Sequence, residues 1–549
     1  MLTPPVFVLL ASLQFAAGAL NAACFQSWTL LICPSLIGPL LCALASTKDE
    51  SEVLPKLKSL PFAFLAATLL LAPSFGYLYT SMRIPKGGAQ DLARFAGRQV
   101  SLEASVESAL PLRGGKNARF LCTVLHATRR IGRRFLEESC DGTTLLFINR
   151  ESQWSGKLSQ GSRLRCSVRV TSIRDLERNG RRGYANYLRR MGVTSLSYVV
   201  GDKHLSFVPA VSNSSSKSFG RAFGDFIESE RSNLIAFHRR LLGSEIGSLL
   251  TAMVLGERAV GLDSTLLSSF RAVGLSHVLA ASGFNLTIVT LSTHWLCRRL
   301  GLAALPSNFL GFAMMSVFVA FAGNSSSVVR ASLMCALSIV CSSLGRRVHI
   351  SGLLGAALLI SLAVDPLSVA DPGFQLSYLA VSGIIFILAP LSEYLKSWIS
   401  NRWQRLFVEC LFTVSVAQAC VLPLQIFYFQ QIGMLFLPAN ILAAMMVTPV
   451  TVAGFGSSLA VIFASCGTPL SSIFLVLASI LDWLSAFPLR VLVSSVAWLA
   501  SCSWAVLCAP QISAAAVFLY YFVFVLLSVR LLNYLRSKSE PFSEIQETP

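Results

Sequence analysis

Long apolar runs recur along this chain, separated by short polar stretches and by one polar insert between residues 81 and 221. The runs lie near 5–23, 28–46, 60–80, 272–296, 303–323, 328–345, 350–364, 373–391, 406–424, 433–454, 456–480, 484–509 and 511–530. A helix crosses a bilayer with about 20 apolar residues, so most of these read as spans, and 350–364 reads as short or re-entrant. The first run lacks a basic stretch before it and two further runs follow, so it reads as a retained span rather than a cleaved leader. The predicted class is a polytopic α-helical membrane protein of about 11–13 membrane helices.

The insert follows a different period. RQVSLEASVES, ARFLCTVLHATRR, GTTLLFINR, SRLRCSVRVTSIRD and TSLSYVV alternate apolar and polar positions, with turn residues such as Gly114-Gly115 and Asp141-Gly142 between them. Five short strands predict an inserted small β-barrel of OB-like type. After it, 219–245 places apolar residues three and four apart. That spacing predicts an amphipathic helix, either lying on the membrane or packed on the β-insert. The expected organisation is therefore N-terminal membrane helices (1–80), a basic OB-like domain (81–210), an amphipathic interfacial helix (219–247), a membrane domain (248–530) and a polar tail (531–549).

Composition agrees with a membrane protein. The chain of 549 residues is 54% hydrophobic and 13% charged, with mean hydropathy +0.63. Soluble domains average about 25% charged residues. The net charge of +18 is concentrated in the insert, which holds 25 Lys and Arg against 10 Asp and Glu between Arg83 and Arg221. Such basicity suits a polyanion, either a phosphate backbone or anionic lipid. The arginines that would carry the contact are Arg129, Arg130, Arg133, Arg134, Arg163, Arg165, Arg181, Arg182, Arg189 and Arg190. Phe120, Phe135, Phe147 and Trp154 are candidate stacking residues or barrel core. Cys122, Cys140 and Cys166 stand apart from the other cysteines, which lie mostly in apolar runs. On an oxidising side of the membrane they are either a possible disulfide or three free thiols.

Basic residues at 298–299, 346–347, 396–405 and 530–536 punctuate the spans, and the excess of Lys and Arg in short loops marks the cytoplasmic side. The insert then lies outside. Polar residues inside apolar runs are expensive and usually face a bundle interior or a wet path. Candidates for such a path are Ser276, His277, Ser282, Asn285, Arg330, Asp371, Gln375, Gln418 and Asn440. Each of them is alternatively an interhelical hydrogen-bonding group that only holds the bundle together.

Several stretches carry a resemblance. GLSHVLAASGFN (274–285) resembles the GLSHLLAISGLH signature of the ComEC competence-protein family, whose members admit transforming DNA through the bacterial inner membrane. FVAFAGNSSSVVRASLM (318–334), DPLSVADPGFQLSYLAVSGI (365–384) and AQACVLPLQIFYFQQIGMLFLPANILAAMMVTPV (417–450) are similar to the family's further motifs, in the same order. RNGRRGYANYLRRMGVTSLSYVV (178–200) is similar to the element that ends the family's N-terminal OB-like domain, through Tyr184, Tyr187, Leu188, Arg189, Arg190 and Gly192. Asn285 stands where the family signature has a second His.

The resemblance implies a channel for single-stranded DNA in natural competence, a multi-pass protein of the inner membrane. Implied partners are a periplasmic or surface DNA receptor, cytoplasmic single-strand-binding or helicase proteins, and the bilayer itself. Alternatives are a small-molecule or lipid-linked transporter, or an envelope-assembly scaffold, with a basic external domain. Larger family members carry a metallo-β-lactamase-like domain. Here the six histidines are never closer than 17 residues apart and no P-loop occurs, so the expectation is a non-enzymatic protein without metal or cofactor.

Overall fold

A computed structural model describes residues 12–17, 19–20, 62–83, 91–110, 117–131, 134–140, 142–149, 162–178, 185, 188–189, 191–200, 206–208 and 219–539, apart from 261, 324, 466–468 and 511. The predicted spans 5–23 and 28–46 thus fall largely outside the described residues. The chain divides into two compact units, 1–223 with 358–371 and 224–357 with 372–549.

In the first unit, helix α1 (Phe62–Arg83) precedes the barrel. The strands are β1 (Gln99–Leu110), β2 (Asn117–Ile131), β3 (Arg134–Ser139), β4 (Thr143–Asn149), β5 (Arg163–Ser172), β6 (Val193–Val199) and β7 (Ser206–Val208). Hydrogen bonding runs β1-β2-β4-β6-β5, and β5 returns to β1, which closes a five-stranded barrel. The pair β4–β6 is parallel and the other pairings are antiparallel. This is the order and sense of an OB-like barrel, as the alternation predicted. The period of two explains the closure. Val100, Leu102, Ala104 and Val106 of β1 and Leu164, Cys166, Val168 and Val170 of β5 fill the interior. Their sequence neighbours face outward. Closure also removes the edges that an open sheet would expose. Leu188, from the stretch similar to the family's barrel-ending element, is wholly buried with Leu145, Ile173 and Leu196 in a second cluster outside the barrel wall. Its role is packing.

Cys122, Cys140 and Cys166 are buried, and the structure holds all three as free thiols. Cys122 lies on β2 and Cys166 on β5, which flank β1 on opposite sides. Two strand spacings, about 9.6 Å, exceed the separation a disulfide bridges.

The second unit is helical. Its elements are α2 (Phe219–Leu242), α3 (Ser244–Leu255), α4 (Ser264–Ala272), α5 (Ser276–Leu279), α6 (Gly283–Arg299), α7 (Ala304–Phe321), α8 (Ser326–Ser343), α9 (Ile350–Val364), α10 (Pro372–Lys396), α11 (Arg402–Phe429), α12 (Phe436–Ser465), α13 (Ser471–Ser501) and α14 (Ala514–Ser539). The last residues of α9 belong to the first unit. Seven helices among the described residues are long and apolar enough to cross a membrane: α7, α8, α10, α11, α12, α13 and α14. The protein is thus a multi-pass membrane protein with a small barrel domain.

Two stretches depart from the hydropathy reading. First, 433–509 forms two long helices, α12 and α13, where the apolar runs predicted three spans. Strand β8 (Gln431–Gly433) pairs with β9 (Val506–Cys508), so both ends of this stretch meet at one face. An even number of crossings between them is required, and long tilted helices supply it with more apolar residues than one minimal span. Second, 272–296 is no single helix. It breaks at Gly274 (φ +79°) and again at Ala280–Ser282, which are extended. The core here is built from α3, α4, α12 and α13, through Leu249, Leu250, Met253, Phe270, Ala439, Leu489 and Val496. The apolar face of α2 packs on the bundle through Ile227 and Leu234, against Val254, Phe321, Ala460 and Ala478.

Candidate functional site

Two surfaces gather the chemistry, one in each unit. On the barrel, outward positions line up across strands by register. Arg119 of β2 pairs with Phe147 of β4, Phe147 with Tyr198 of β6, and Tyr198 with Arg169 of β5. The rings of Phe147 and Tyr198 stack at 4.6 Å between centroids and 14° between planes. Tyr198 is 38% exposed. Phe147 and Arg119 are half-buried and Arg169 is exposed. Neighbouring strands sit about 4.8 Å apart, so the two stacked rings have an arginine at the paired position of the next strand on each side. Of these four only Phe147 stood out in the sequence. Residues 119 and 169 carry no local motif, and Tyr198 is not among the matched positions of 178–200; only the closed barrel makes them neighbours.

The predicted basic residues are placed more variously. Arg163 and Arg165 stand exposed on the outer face of β5, six and four residues before Arg169. Arg165 is paired with Glu103 of β1 at 2.7 Å, which offsets part of its charge. Arg189 is half-buried beside the packed Leu188. Arg129, Arg130 and Arg134 lie on the β2–β3 hairpin. Arg133, Arg181, Arg182, Arg190 and Trp154 lie outside the described residues. Phe120 is barrel core.

In the bundle, the broken stretch after α3 needs partners for its free backbone groups, because lipid offers none. Asn285 supplies them. Its Nδ2 donates to the carbonyls of Met253 (2.8 Å) and Val254 (3.1 Å), two of the last acceptors of α3 that have no helical donor. Ser282 Oγ donates to Asn285 Oδ1 at 3.1 Å. Gly283 then opens α6 against α8, where a Cβ would meet Ala331 Cβ at 3.0 Å and Arg330 Nη2 at 3.9 Å. Arg330 is 7% exposed. Its Nη1 donates to the Ser377 carbonyl and, at 2.5 Å, to Ser377 Oγ on α10. Its guanidinium carbon lies 5.8 Å from the centre of the Tyr378 ring. Two residues before Ser377, Gln375 Oε1 accepts from Tyr428 of α11 at 3.0 Å.

Ser282, Asn285, Arg330 and Gln375 therefore form a polar strip that crosses α3, α6, α8, α10 and α11. Other sequence candidates do not join it directly. Ser276 and His277 are exposed at the start of α5. Gln418 bonds Gln425 on its own helix at 2.8 Å, and Asn440 donates to the Phe436 carbonyl one turn back. Asp371 is buried in the first unit.

A second buried group was not singled out from the sequence. His238 of α2 and Asp482 of α13, 244 residues apart, meet inside the bundle with Ser458 of α12. The signal available in the sequence was a lone Asp within the apolar run 471–501.

Comparison with known proteins agrees with these motifs. No solved structure matches the chain. ComE operon protein 3 of Bacillus subtilis (strain 168) is 26% identical over 212 residues, which are 39% of this chain and 26% of that protein. The matched part of the chain thus spans about a quarter of that relative. The Competence protein family matches residues 253–533, from the end of α3 through most of α14 and including the polar strip. Over half of its length, with Asn285, Arg330 and Gln375 inside the match, the chain belongs to the Competence protein family.

Proposed function

We propose that this protein takes part in competence by receiving single-stranded DNA on its barrel and passing it through the helical bundle across the bacterial inner membrane. The observation that carries this reading is the row Arg119–Phe147–Tyr198–Arg169. Single-stranded nucleic acid is bound where aromatic faces stack on bases and cations track the phosphates, with little dependence on sequence. The row offers both elements at strand spacing, on the domain that holds most of the chain's positive charge. The family supports DNA as the polyanion. The basic loops beside α6, α8, α10 and α14 then mark the cytoplasmic side, and the barrel lies outside. A DNA receptor would deliver the strand there, and cytoplasmic single-strand-binding or helicase proteins would draw it in. The bundle's part is passive conduction, with no cofactor and no bond cleavage.

The test uses the full chain in lipid nanodiscs with labelled oligothymidylate. Stacking is worth about 1–3 kcal/mol per base, so Tyr198→Ala should weaken binding about 5- to 150-fold. Arg119→Gln with Arg169→Gln should lower the slope of affinity against salt. Cells lacking the protein should fail to import DNA, and the Tyr198→Ala protein should restore import only in part. Normal DNA import in cells without the protein would end this reading.

A further inference from the structure

Arg330 is a cation held at membrane depth by uncharged partners. The Ser377 carbonyl and hydroxyl take Nη1, and the Tyr378 ring lies beneath the guanidinium. Its Nε is buried with no hydrogen-bond partner. A buried charge in this state is costly. Two helix starts add to the cost. Serine N-caps both α6 and α8, at Ser282 and Ser325, and neither side chain bonds a backbone N–H of its helix. The Ser282 hydroxyl is turned to Asn285 instead, and Ser325 Oγ is buried without a partner. The start of α6 therefore keeps its partial positive charge. Side chains on a helix lean toward its N-terminus, so Arg330 reaches back over the first turns of α8. Gly283 lets the first turn of α6 come close to Nη2, which is 3.9 Å from where a side chain would begin.

Arg330 and the first turn of α6 thus lie side by side, and Arg330 Nε lacks an acceptor. A tetrahedral oxyanion would relieve both, because a helix start and a guanidinium are donors that phosphates take. We propose that Arg330, with the N-terminal turn of α6, is a binding site for one backbone phosphodiester of a nucleic-acid strand inside the bundle. This rests on the reading of the protein as a DNA conduit and adds a fixed station to it. One cation that grips a single phosphodiester holds a passing strand without trapping it, which conduction requires.

Phenylglyoxal, which modifies accessible guanidinium groups, tests this on the wild-type full chain in zwitterionic nanodiscs, with modified peptides mapped by mass spectrometry. Arg330, 7% exposed, should react slowly in the free protein. Bound oligothymidylate should protect it, and the same oligomer with an uncharged methylphosphonate backbone should not. An Arg330 that never reacts, or that reacts equally when oligothymidylate is bound, overturns the proposal. Equal protection by inorganic phosphate at the same phosphate concentration, or by anionic phospholipid alone, overturns it as well, since the site would then serve a small anion or a lipid. In cells, Arg330→Gln at normal abundance should lower DNA import by about tenfold, as for one lost charge-assisted contact. Oligothymidylate binding at the barrel should be unchanged. Wild-type import by Arg330→Gln would remove the station and leave the proposed function standing, whereas normal import without the protein removes the function itself.

Discussion

His238 Nδ1 lies 2.7 Å from Asp482 Oδ2, and both side chains are wholly buried. The contact joins α2 to α13, and Ser458 of α12 closes it from the other side at 3.3 Å from His238 Nε2. Ser458 spends its own proton on the Gly454 carbonyl at 2.8 Å. Nε2 must therefore donate to Ser458, and one proton is shared between Nδ1 and Asp482. Wholly buried, with its serine hydroxyl turned away, the group has no route to a substrate. It is a clasp that fixes α2 on the bundle, beside Gly247, which packs on the His238 carbonyl so closely that a Cβ would come within 2.3 Å.

Breaking the clasp from one side leaves a buried charge or acceptor alone, which costs about 3–5 kcal/mol. Asp482→Ala and His238→Ala should each lower the thermal midpoint in detergent and the yield of folded protein. Replacing both with Leu should recover most of the loss, since an apolar pair of similar volume needs no partner. Equal damage from the double variant would show that the clasp contributes more than its own pairing.

Asn285 caps α3 from a distance, so its substitution should act on folding rather than on any passing molecule. Asn285→Leu leaves the Met253 and Val254 carbonyls without a donor, at about 1–3 kcal/mol each. Asn285→Asp should be worse, because a carboxylate would face two carbonyl oxygens. Stability measured in nanodiscs checks both. A variant of full stability that imports DNA poorly would instead make Asn285 a path residue.

The barrel should weaken in alkali. Burial pushes the Cys166 thiol from its ordinary 9.0 up to about 12, and raises Cys122 in the same sense. A folded thiol that holds its proton longer than the unfolded one stabilises the fold fully below the unfolded value. That contribution is lost as pH rises from 9.0 through about 12. Alkylation of both thiols at pH 8 should accordingly be slow in the native protein and fast in denaturant. Fast native labelling would mean the barrel opens.

The β8–β9 pair sets sidedness. In a background without other cysteines, Ser400→Cys and the native Cys508 should react with a membrane-impermeant thiol reagent from opposite sides, because α11 alone separates Ser400 from β8. Cysteines placed at Gln430 and at 508 should react from the same side. Labelling of 430 and 508 from opposite sides would restore three crossings to 433–509.

Much of this architecture is legible before folding because it depends on local period. Alternation of two between 98 and 200 specifies strands, and Leu102, Cys166 and Val168 point inward for that reason alone. Apolar length specifies spans, and α7, α8, α10, α11 and α14 fall where hydropathy places them. The strip residues Asn285, Arg330 and Gln375 are conspicuous because polar groups in apolar runs are expensive. Hydropathy is silent on how many times 433–509 crosses, since a tilted helix of 30 residues and one and a half minimal spans have the same composition. Partnership is equally hidden. Which acceptor Asn285 finds, why Arg330 sits among neutral groups, and how His238 reaches Asp482 all depend on helices brought together across tens to hundreds of residues. The row from Arg119 to Arg169 arises only when β5 returns to β1 and the barrel closes. Burial and period act on each residue in turn and are written in its neighbours. Register, crossing number and the pairing of buried polar groups are properties of two segments at once, and those the packed chain alone decides.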